Sequence, residues 1–294
     1  MDPFVVLITV LVLLTLFLGI GVWVGLSLFA VAIISLSLFR SMPVDKLLAQ
    51  LTYNTVTTPE MVALPMFILM AELLFHTKLS ASLFKGLAPW TNRLPGRMMH
   101  VNVLGCTLFA AISGSSAATA TTVGRITLSE LFKRGYDKDL AIGTLAGAGT
   151  LGFLIPPSII LIIYGVLSET SILKLFIAGI VPGLLLSLGF MGYVAIRATL
   201  NPSLIPDENI DATWRDRLNG LVDLGPVGFL ILLVLGSMYA GFASPSEAAA
   251  VGVLGAVLVS AAQKTLSWKT LRMACLGAVR TTSMIALIVA GAVF

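Results

Sequence analysis

Residues 112–119 read Ile112-Ser113-Gly114-Ser115-Ser116-Ala117-Ala118-Thr119, a run of small and hydroxyl-bearing side chains inside a long apolar segment. A second interruption follows in the next apolar segment, Gly147-Ala148-Gly149-Thr150-Leu151-Gly152-Phe153-Leu154-Ile155-Pro156-Pro157. Helix breaks inside a membrane leave backbone N–H and C=O groups that need a partner. Two broken segments in one chain therefore indicate the binding site of a membrane transporter.

The composition of the whole chain indicates a protein that crosses a membrane several times. Of its 294 residues, 57% are hydrophobic and 11% are charged, and the mean hydropathy is +1.01. Several apolar stretches approach or exceed the roughly 20 residues that cross a bilayer. The net charge of +4 is spread over loops and lacks the basic stripe of a nucleic-acid surface. We therefore expect an all-α polytopic protein in the lipid bilayer, with no nucleic-acid partner.

Apolar segments alternate with short polar connections along the chain. They predict spans near residues 4–20, 23–39, 59–77, 139–168, 172–198, 225–241 and 246–262, with one more that begins near Thr281. The fourth of these is broken at Gly152–Pro157, and residues 98–135 are expected to form a re-entrant hairpin with the Ser/Gly run at its tip. Residues 40–58 and the basic stretch 78–97 are expected to be loops, the second one cytoplasmic. The polar residues 201–223 predict an interfacial segment.

An internal repeat organises these spans. A shift of 222 residues sets Gly19 against Gly241 and brings the flanking apolar segments into register. Five crossings separate the copies, so the second copy is expected to be inverted, as in many secondary transporters. Residues 1–223 would form the first repeat and 224–294 the start of the second. On this logic the chain is C-terminally truncated, and the complete protein has roughly 420 residues.

The second break frees backbone carbonyl groups. Pro156 and Pro157 lack the N–H groups that would satisfy the carbonyls of Gly152 and Phe153 in a continuous helix. A sodium ion, a water molecule or the facing hairpin tip could take these acceptors. A proline kink that is satisfied by neighbouring helices is the structural alternative.

The first break offers hydroxyl oxygens at Ser113, Ser115, Ser116 and Thr119, and Gly114 permits a tight turn. Ser115 or Ser116 is expected to cap the returning helix, whose positive end would attract a carboxylate. The helix after Pro157 would present a second positive end. Close packing of small residues between helices is the structural alternative.

Charged residues near the breaks are few. Arg125, on the returning arm of the hairpin, is a candidate for holding an anion, with snorkelling or pairing with Glu130 as structural alternatives. Neither break contains Asp, Glu or His, so neutral oxygen ligands favour sodium as the coupling ion. Glu60 and Glu72, in the third predicted span, keep a proton-coupled alternative open.

The motifs that surround the breaks resemble one known family, the DctM-like large membrane subunit of tripartite ATP-independent periplasmic (TRAP) transporters. The resemblance covers essentially the whole chain. It rests on Ser113-Gly114-Ser115-Ser116-Ala117-Ala118-Thr119-Ala120, Arg134-Gly135-Tyr136-Asp137, Gly149-Thr150-Leu151-Gly152-Phe153-Leu154-Ile155-Pro156-Pro157-Ser158, Ile162-Ile163-Tyr164-Gly165 and Ala178-Gly179-Ile180-Val181-Pro182-Gly183.

That resemblance implies a sodium-driven elevator transporter in the bacterial inner membrane, without enzymatic activity and without a cofactor other than sodium ions. It implies a small four-helix membrane subunit, fused or separate, and a periplasmic binding protein that delivers an organic acid. The candidate substrate-binding residues are Ser115, Ser116, Thr119 and Arg125. The candidate sodium-binding residues are Ser113, Gly114, Ser115, Ser116, Gly149, Thr150, Gly152, Phe153 and Pro156.

Two other functions remain as alternatives. The first is a carboxylate or ion transporter of a related elevator family that works without a binding protein. The second is an intramembrane serine protease, because Gly114-Ser115-Ser116 superficially resembles a nucleophile loop. A protease needs a base beside the serine, and His100 would lie about 20 Å away along a helix.

Overall fold

The structure of the chain is a computed structural model that describes residues 3–39, 43–206 and 212–293. These residues form helices joined by short connections, which confirms the all-α prediction. Within the described ranges, four helices are long and apolar enough to cross a membrane: Ile172–Leu200, Trp214–Tyr239, Pro245–Ala262 and Trp268–Ala292. The fold is that of a polytopic membrane protein.

The helices follow one another with few interruptions. In chain order they are α1 (Pro3–Gly19), α2 (Val24–Phe39), α3 (Val44–Val56), α4 (Ala63–Phe75), α5 (Leu79–Thr91), α6 (Met99–Ser113), α7 (Ser116–Lys133), α8 (Lys138–Gly149), α9 (Ile159–Leu167), α10 (Ile172–Leu200), α11 (Trp214–Tyr239), α12 (Pro245–Ala262) and α13 (Trp268–Ala292). The chain divides into two compact units, Met1–Val62 with Val279–Phe294, and Ala63–Ala278.

The first unit contains α1, α2, α3 and the later part of α13. The turn between α1 and α2 uses Gly21 at φ +82°, a conformation that glycine adopts without strain, and this confirms the predicted break. Helix α2 packs closely on α13, since a Cβ added to Gly25 would lie 2.7 Å from the Cγ of Leu287. Helix α3 lies in the segment predicted as a loop. Its 13 residues are too short and too often interrupted by polar side chains to read as an apolar span.

The second unit is built around the predicted hairpin. Helices α6 and α7 are its two arms, and α8 packs against both. The buried amide of Asn102 on α6 donates hydrogen bonds to the Ala141 carbonyl at 3.1 Å and the Thr144 hydroxyl at 3.3 Å, both on α8. Phe67, Phe109 and Phe176 belong to the fully buried core of this unit. The hairpin is therefore tied to the first half of the broken helix.

Two predicted helix boundaries were wrong for the same physical reason. Helix α11 begins at Trp214, inside the predicted interfacial segment, because Thr213 and Asp216 form a reciprocal capping box there. Helix α13 begins at Trp268 rather than near Thr281. At this start, the hydroxyl of Ser267 accepts the Thr270 N–H at 3.1 Å. Polar first turns extend both helices beyond their apolar spans.

Helix α5 occupies the basic stretch predicted as a loop and packs against the start of α11. The backbones touch at a pair of glycines, because a Cβ on Gly220 would lie 2.6 Å from the carbonyl oxygen of Gly86. Lys85 and Asp223 form an ion pair at 3.2 Å beside this contact. Because Lys85 is largely exposed, the pair contributes at most about 1 kcal/mol. The glycine contact therefore dominates this packing.

Replacing Gly220 with alanine should destabilise the protein by about 1–3 kcal/mol, because the new methyl group meets backbone that cannot rotate away. Alanine favours a helix over glycine by about 1 kcal/mol, so Gly225→Ala is the matched control. Gly225 lies on the same helix with nothing within 4 Å of an added Cβ. Thermal unfolding of the detergent-purified protein measures both variants. A Gly220→Ala protein as stable as Gly225→Ala would contradict the prediction.

Candidate functional site

The hairpin tip is a tight turn between α6 and α7. Helix α6 ends at Ser113, Gly114 adopts φ +61°, and Ser115 is the extended N-cap residue of α7. The Ser115 hydroxyl accepts the Ala118 N–H at 3.4 Å, which confirms the predicted cap. The tip therefore turns through one left-handed glycine and one capping serine.

Two hydroxyl groups close the tip from inside. The Ser113 Oγ and the Thr119 Oγ1 lie 2.8 Å apart, and both side chains are almost completely buried. One hydroxyl donates to the other, so neither buried side chain is left without a hydrogen bond. Ser113 and Thr119 therefore hold the two arms together, and this bond would have to open before Thr119 could contact a substrate.

The second break lies between α8 and α9. A 3₁₀ turn, Thr150–Phe153, follows α8, and α9 starts only after the cis Pro156–Pro157 bond, with Ser158 as its extended N-cap residue. The Ser158 hydroxyl donates to the Phe153 carbonyl at 2.8 Å, so the expectation that this carbonyl is free was wrong. Among the described residues, no donor reaches the Gly152 carbonyl.

The two breaks touch through their backbones. The Ile159 N–H, the first of α9, donates to the Gly114 carbonyl at 3.0 Å. A Cβ added to Gly114 would lie 2.5 Å from the Pro157 carbonyl oxygen. A Cβ added to Gly152 would lie 2.7 Å from the Ser116 nitrogen. The hairpin tip and the broken helix thus face each other, as predicted. Glycine is needed at both contacts.

The positive ends of α7 and α9 meet at this contact, as expected. The first N–H of α9 is already bonded to the hairpin tip. At the start of α7, the N–H groups of Ser116 and Ala117 have no acceptor among the residues that the structure describes. A helix N-terminus with free N–H groups attracts anions. The start of α7 therefore has two N–H groups available to an anion.

Other candidate residues lie beside the contact rather than in it. The exposed Thr150 donates its hydroxyl to the Gly147 carbonyl at 2.7 Å. Gly149 lets α8 approach α7, because an added Cβ would lie 2.8 Å from the Cβ of Ala120. Pro156 has no N–H to donate, and this helps to interrupt the helix. These residues shape the surroundings of the tip.

Arg125 lies along α7, about 13 Å from Ser116 by helical rise. Its guanidinium stacks 5.6 Å from the ring centroid of Phe75 on α4. Glu130 pairs with Lys133 at 3.3 Å and with Arg134 at 4.0 Å, in place of the suggested pair with Arg125. Arg125 therefore links α7 to α4 and lies away from the hairpin tip.

His100 lies near the start of α6, at the opposite end from the tip. It is buried, and its Nε2 is 2.6 Å from the carbonyl oxygen of Pro95. A ring held there is out of reach of Ser115. His100 therefore cannot act as the base that the protease alternative needs.

Sequence reasoning missed two buried polar residues. Ser158 does carry a local signal, since a serine after Pro156-Pro157 and before Ile159-Ile160-Leu161 has the pattern of an N-cap. Asn102 stood alone in an apolar arm, and no local signal paired it with α8.

Comparison with known proteins identifies the family of this chain. Residues 11–294 match the family described as "Tripartite ATP-independent periplasmic transporter, DctM component". The chain is 35% identical over 225 residues to the ectoine/5-hydroxyectoine TRAP transporter large permease protein UehC of Ruegeria pomeroyi, covering 76% of this chain and 52% of the relative. It is 38% identical over 200 residues to the ectoine TRAP transporter large permease protein TeaC of Halomonas elongata, covering 68% and 46%.

A third relative has a different substrate in its name. The chain is 31% identical over 266 residues to the sialic acid TRAP transporter permease protein SiaT of Haemophilus influenzae, covering 89% of this chain and 42% of the relative. The chain spans about half the length of the curated relatives it matches. Taken with the family match over residues 11–294 and the membrane-spanning helices, these similarities establish that the chain belongs to the DctM family of TRAP transporter large permease subunits, multi-pass proteins of the bacterial inner membrane.

Proposed function

We propose that this chain belongs to the large transmembrane subunit of a sodium-coupled TRAP transporter that imports an organic acid by an elevator mechanism. The contact between the hairpin tip and the broken helix carries the proposal. Gly114, Gly152 and Ile159 bring two interrupted helices together through their backbones. Secondary transporters place substrate and ion sites at such discontinuous helices.

The chemistry of this contact supports a sodium ion. Its oxygen atoms are backbone carbonyls and serine hydroxyls, which are neutral ligands for a hard cation. Gly152 lies against the hairpin tip, and its carbonyl has no donor among the described residues. We propose that Ser113–Ser116 and Gly149–Pro156 contribute the ligands, with the Gly152 carbonyl as the most available one.

The open N-terminus of α7 supports an anionic substrate. Its free N–H groups at Ser116 and Ala117 would receive a carboxylate without a buried cationic side chain. Relatives are named for ectoine, C4-dicarboxylates and sialic acid. We propose an organic acid of this range, held at Ser115 and Ser116, while Thr119 braces the tip through its bond to Ser113.

The tripartite assembly and the repeat complete the proposal. A periplasmic binding protein would deliver the substrate, and a small four-helix membrane subunit, fused or separate, would accompany this one. Residues 1–223 would form the first of two inverted repeats, and 224–294 would open the second. Such repeats supply the two halves of an alternating-access transporter.

In proteoliposomes that hold the full-length permease, its small subunit and a binding protein, an inward sodium gradient should drive uptake more strongly than a proton gradient. Radiolabelled ectoine, succinate and sialic acid serve as probes, each with its own binding protein. The reason is that neither break carries a group that exchanges protons. Uptake is measured with sodium or potassium outside and with pH clamped by ionophores.

Two results of this experiment would change the proposal. Stronger driving by protons would direct attention to Glu60 and Glu72. Equal uptake without any binding protein would favour the alternative elevator transporter that needs no such partner.

A further inference from the structure

Ser158 bridges the two halves of the broken helix. Its side chain is fully buried. The hydroxyl donates to the Phe153 carbonyl at 2.8 Å and accepts the Leu161 N–H at 3.5 Å. One side chain thus contacts the end of the 3₁₀ turn and the first turn of α9.

The bond to Phe153 replaces one that the backbone cannot make. In a continuous helix, the N–H of residue 157 would donate to the Phe153 carbonyl, but Pro157 has none. A carbonyl without a donor is costly at membrane depth. The Ser158 hydroxyl removes that cost and holds the carbonyl in one direction.

The carbonyl of Gly152, one residue earlier, has no such substitute donor among the described residues. Pro156 withholds the donor of the Gly152 carbonyl in the same way, and no described side chain replaces it. Gly152 is also the residue that touches the backbone of Ser115 and Ser116. The break therefore satisfies the Phe153 carbonyl through Ser158 and leaves without a donor the carbonyl of Gly152, the residue that lies against the tip.

We propose that Ser158 is a positioning residue for the cation site between the two breaks. By holding the Phe153 carbonyl, it orients the adjoining peptide groups and keeps the Gly152 carbonyl available beside the hairpin. Groups that orient ligands in this way commonly change metal affinity 10–100-fold when they are removed. This inference rests on the sodium-coupled function proposed above.

The test removes the hydroxyl in the full-length permease, assembled with its partners in proteoliposomes. Ser158→Ala should raise the sodium concentration for half-maximal uptake on the order of tenfold, and Ser158→Thr, which keeps a hydroxyl, should restore it to near the wild-type value. The matched control is Ser168→Ala. Ser168, at the other end of α9, also donates its hydroxyl to a carbonyl, that of Tyr164, at 2.6 Å.

A second measurement separates binding from transport. Sodium chloride, compared with potassium chloride, should raise the unfolding temperature of the purified wild-type protein and of Ser168→Ala, and the rise should shrink in Ser158→Ala. Should Ser158→Ala fail to insert, Ser158→Gly removes the same hydroxyl and is a better helix cap than alanine. Failure of both variants to fold would mean a purely structural hydroxyl and would overturn the inference.

The remaining outcomes are distinct. An unchanged half-saturating sodium concentration in Ser158→Ala, with sodium-dependent wild-type uptake, would overturn the positioning role and leave the proposed function standing. A Ser158→Thr protein as impaired as Ser158→Ala would also overturn it. Wild-type uptake that ignores sodium would refute the proposed function itself.

Discussion

Gly114→Ala should abolish uptake and destabilise the protein by about 2–5 kcal/mol. Two costs add at this position. A left-handed conformation costs a residue with a Cβ about 1–2 kcal/mol, and Gly114 has φ +61°. The methyl group would also lie 2.5 Å from the Pro157 carbonyl oxygen, and relieving such overpacking costs about 1–3 kcal/mol.

Gly135→Ala is the control that separates the two costs. Gly135 has φ +81°, but nothing lies within 4 Å of an added Cβ. The Gly135→Ala protein should lose only about 1 kcal/mol of stability, the cost of the left-handed conformation. It should retain uptake. Thermal unfolding and uptake of both purified variants provide the measurement. If Gly114→Ala behaves like Gly135→Ala, the hairpin tip and the broken helix are not packed as the structure has them.

Gly152→Ala should remove sodium-dependent uptake while the protein still inserts and folds. The added methyl group would lie 2.7–2.9 Å from three backbone atoms of Ser115 and Ser116. Because these atoms belong to the tip itself, the tip must move away from the break. Separation of neutral ligands from a cation is expected to weaken sodium binding on the order of 10–100-fold. Sodium titration of uptake and the sodium-induced rise in unfolding temperature both report the loss.

Gly143→Ala, earlier in the same broken segment, is the matched control. Gly143 is exposed on α8, and an added Cβ meets nothing within 4 Å. Alanine favours a helix more than glycine does, and its methyl group makes no new contact here. Sodium titrations of Gly143→Ala should overlay those of the wild type. Equal sodium affinities in Gly152→Ala and Gly143→Ala would place the sodium site elsewhere.

Much of the fold follows from local sequence signals. The predicted tip lies where α6 ends at Ser113 and α7 begins at Ser116. The helices near residues 4–20, 23–39, 172–198 and 246–262 form as expected because each is a long apolar run. Helices α3 and α5 were not predicted because each has only 13 residues, too few to cross a bilayer.

The site was predictable in its parts and not in its connections. Pro156 and Pro157 predicted which carbonyls lose their helical donors, since a missing N–H is a property of the residue alone. That Ser158 would satisfy one of them depends on how the chain folds back after the prolines. That Arg125 would stack on Phe75 depends on two helices that are far apart in sequence.

The sequence by itself determined where the helices break, which groups lack charge and which glycine can turn, because covalent structure limits φ and removes donors locally. Only the tertiary structure decided that the Ile159 N–H bonds to the Gly114 carbonyl and that Ser113 pairs with Thr119. It also decided that the Ser158 hydroxyl satisfies the carbonyl of Phe153 and not that of Gly152. These outcomes depend on the close approach of separate segments, and packing between segments sets that approach.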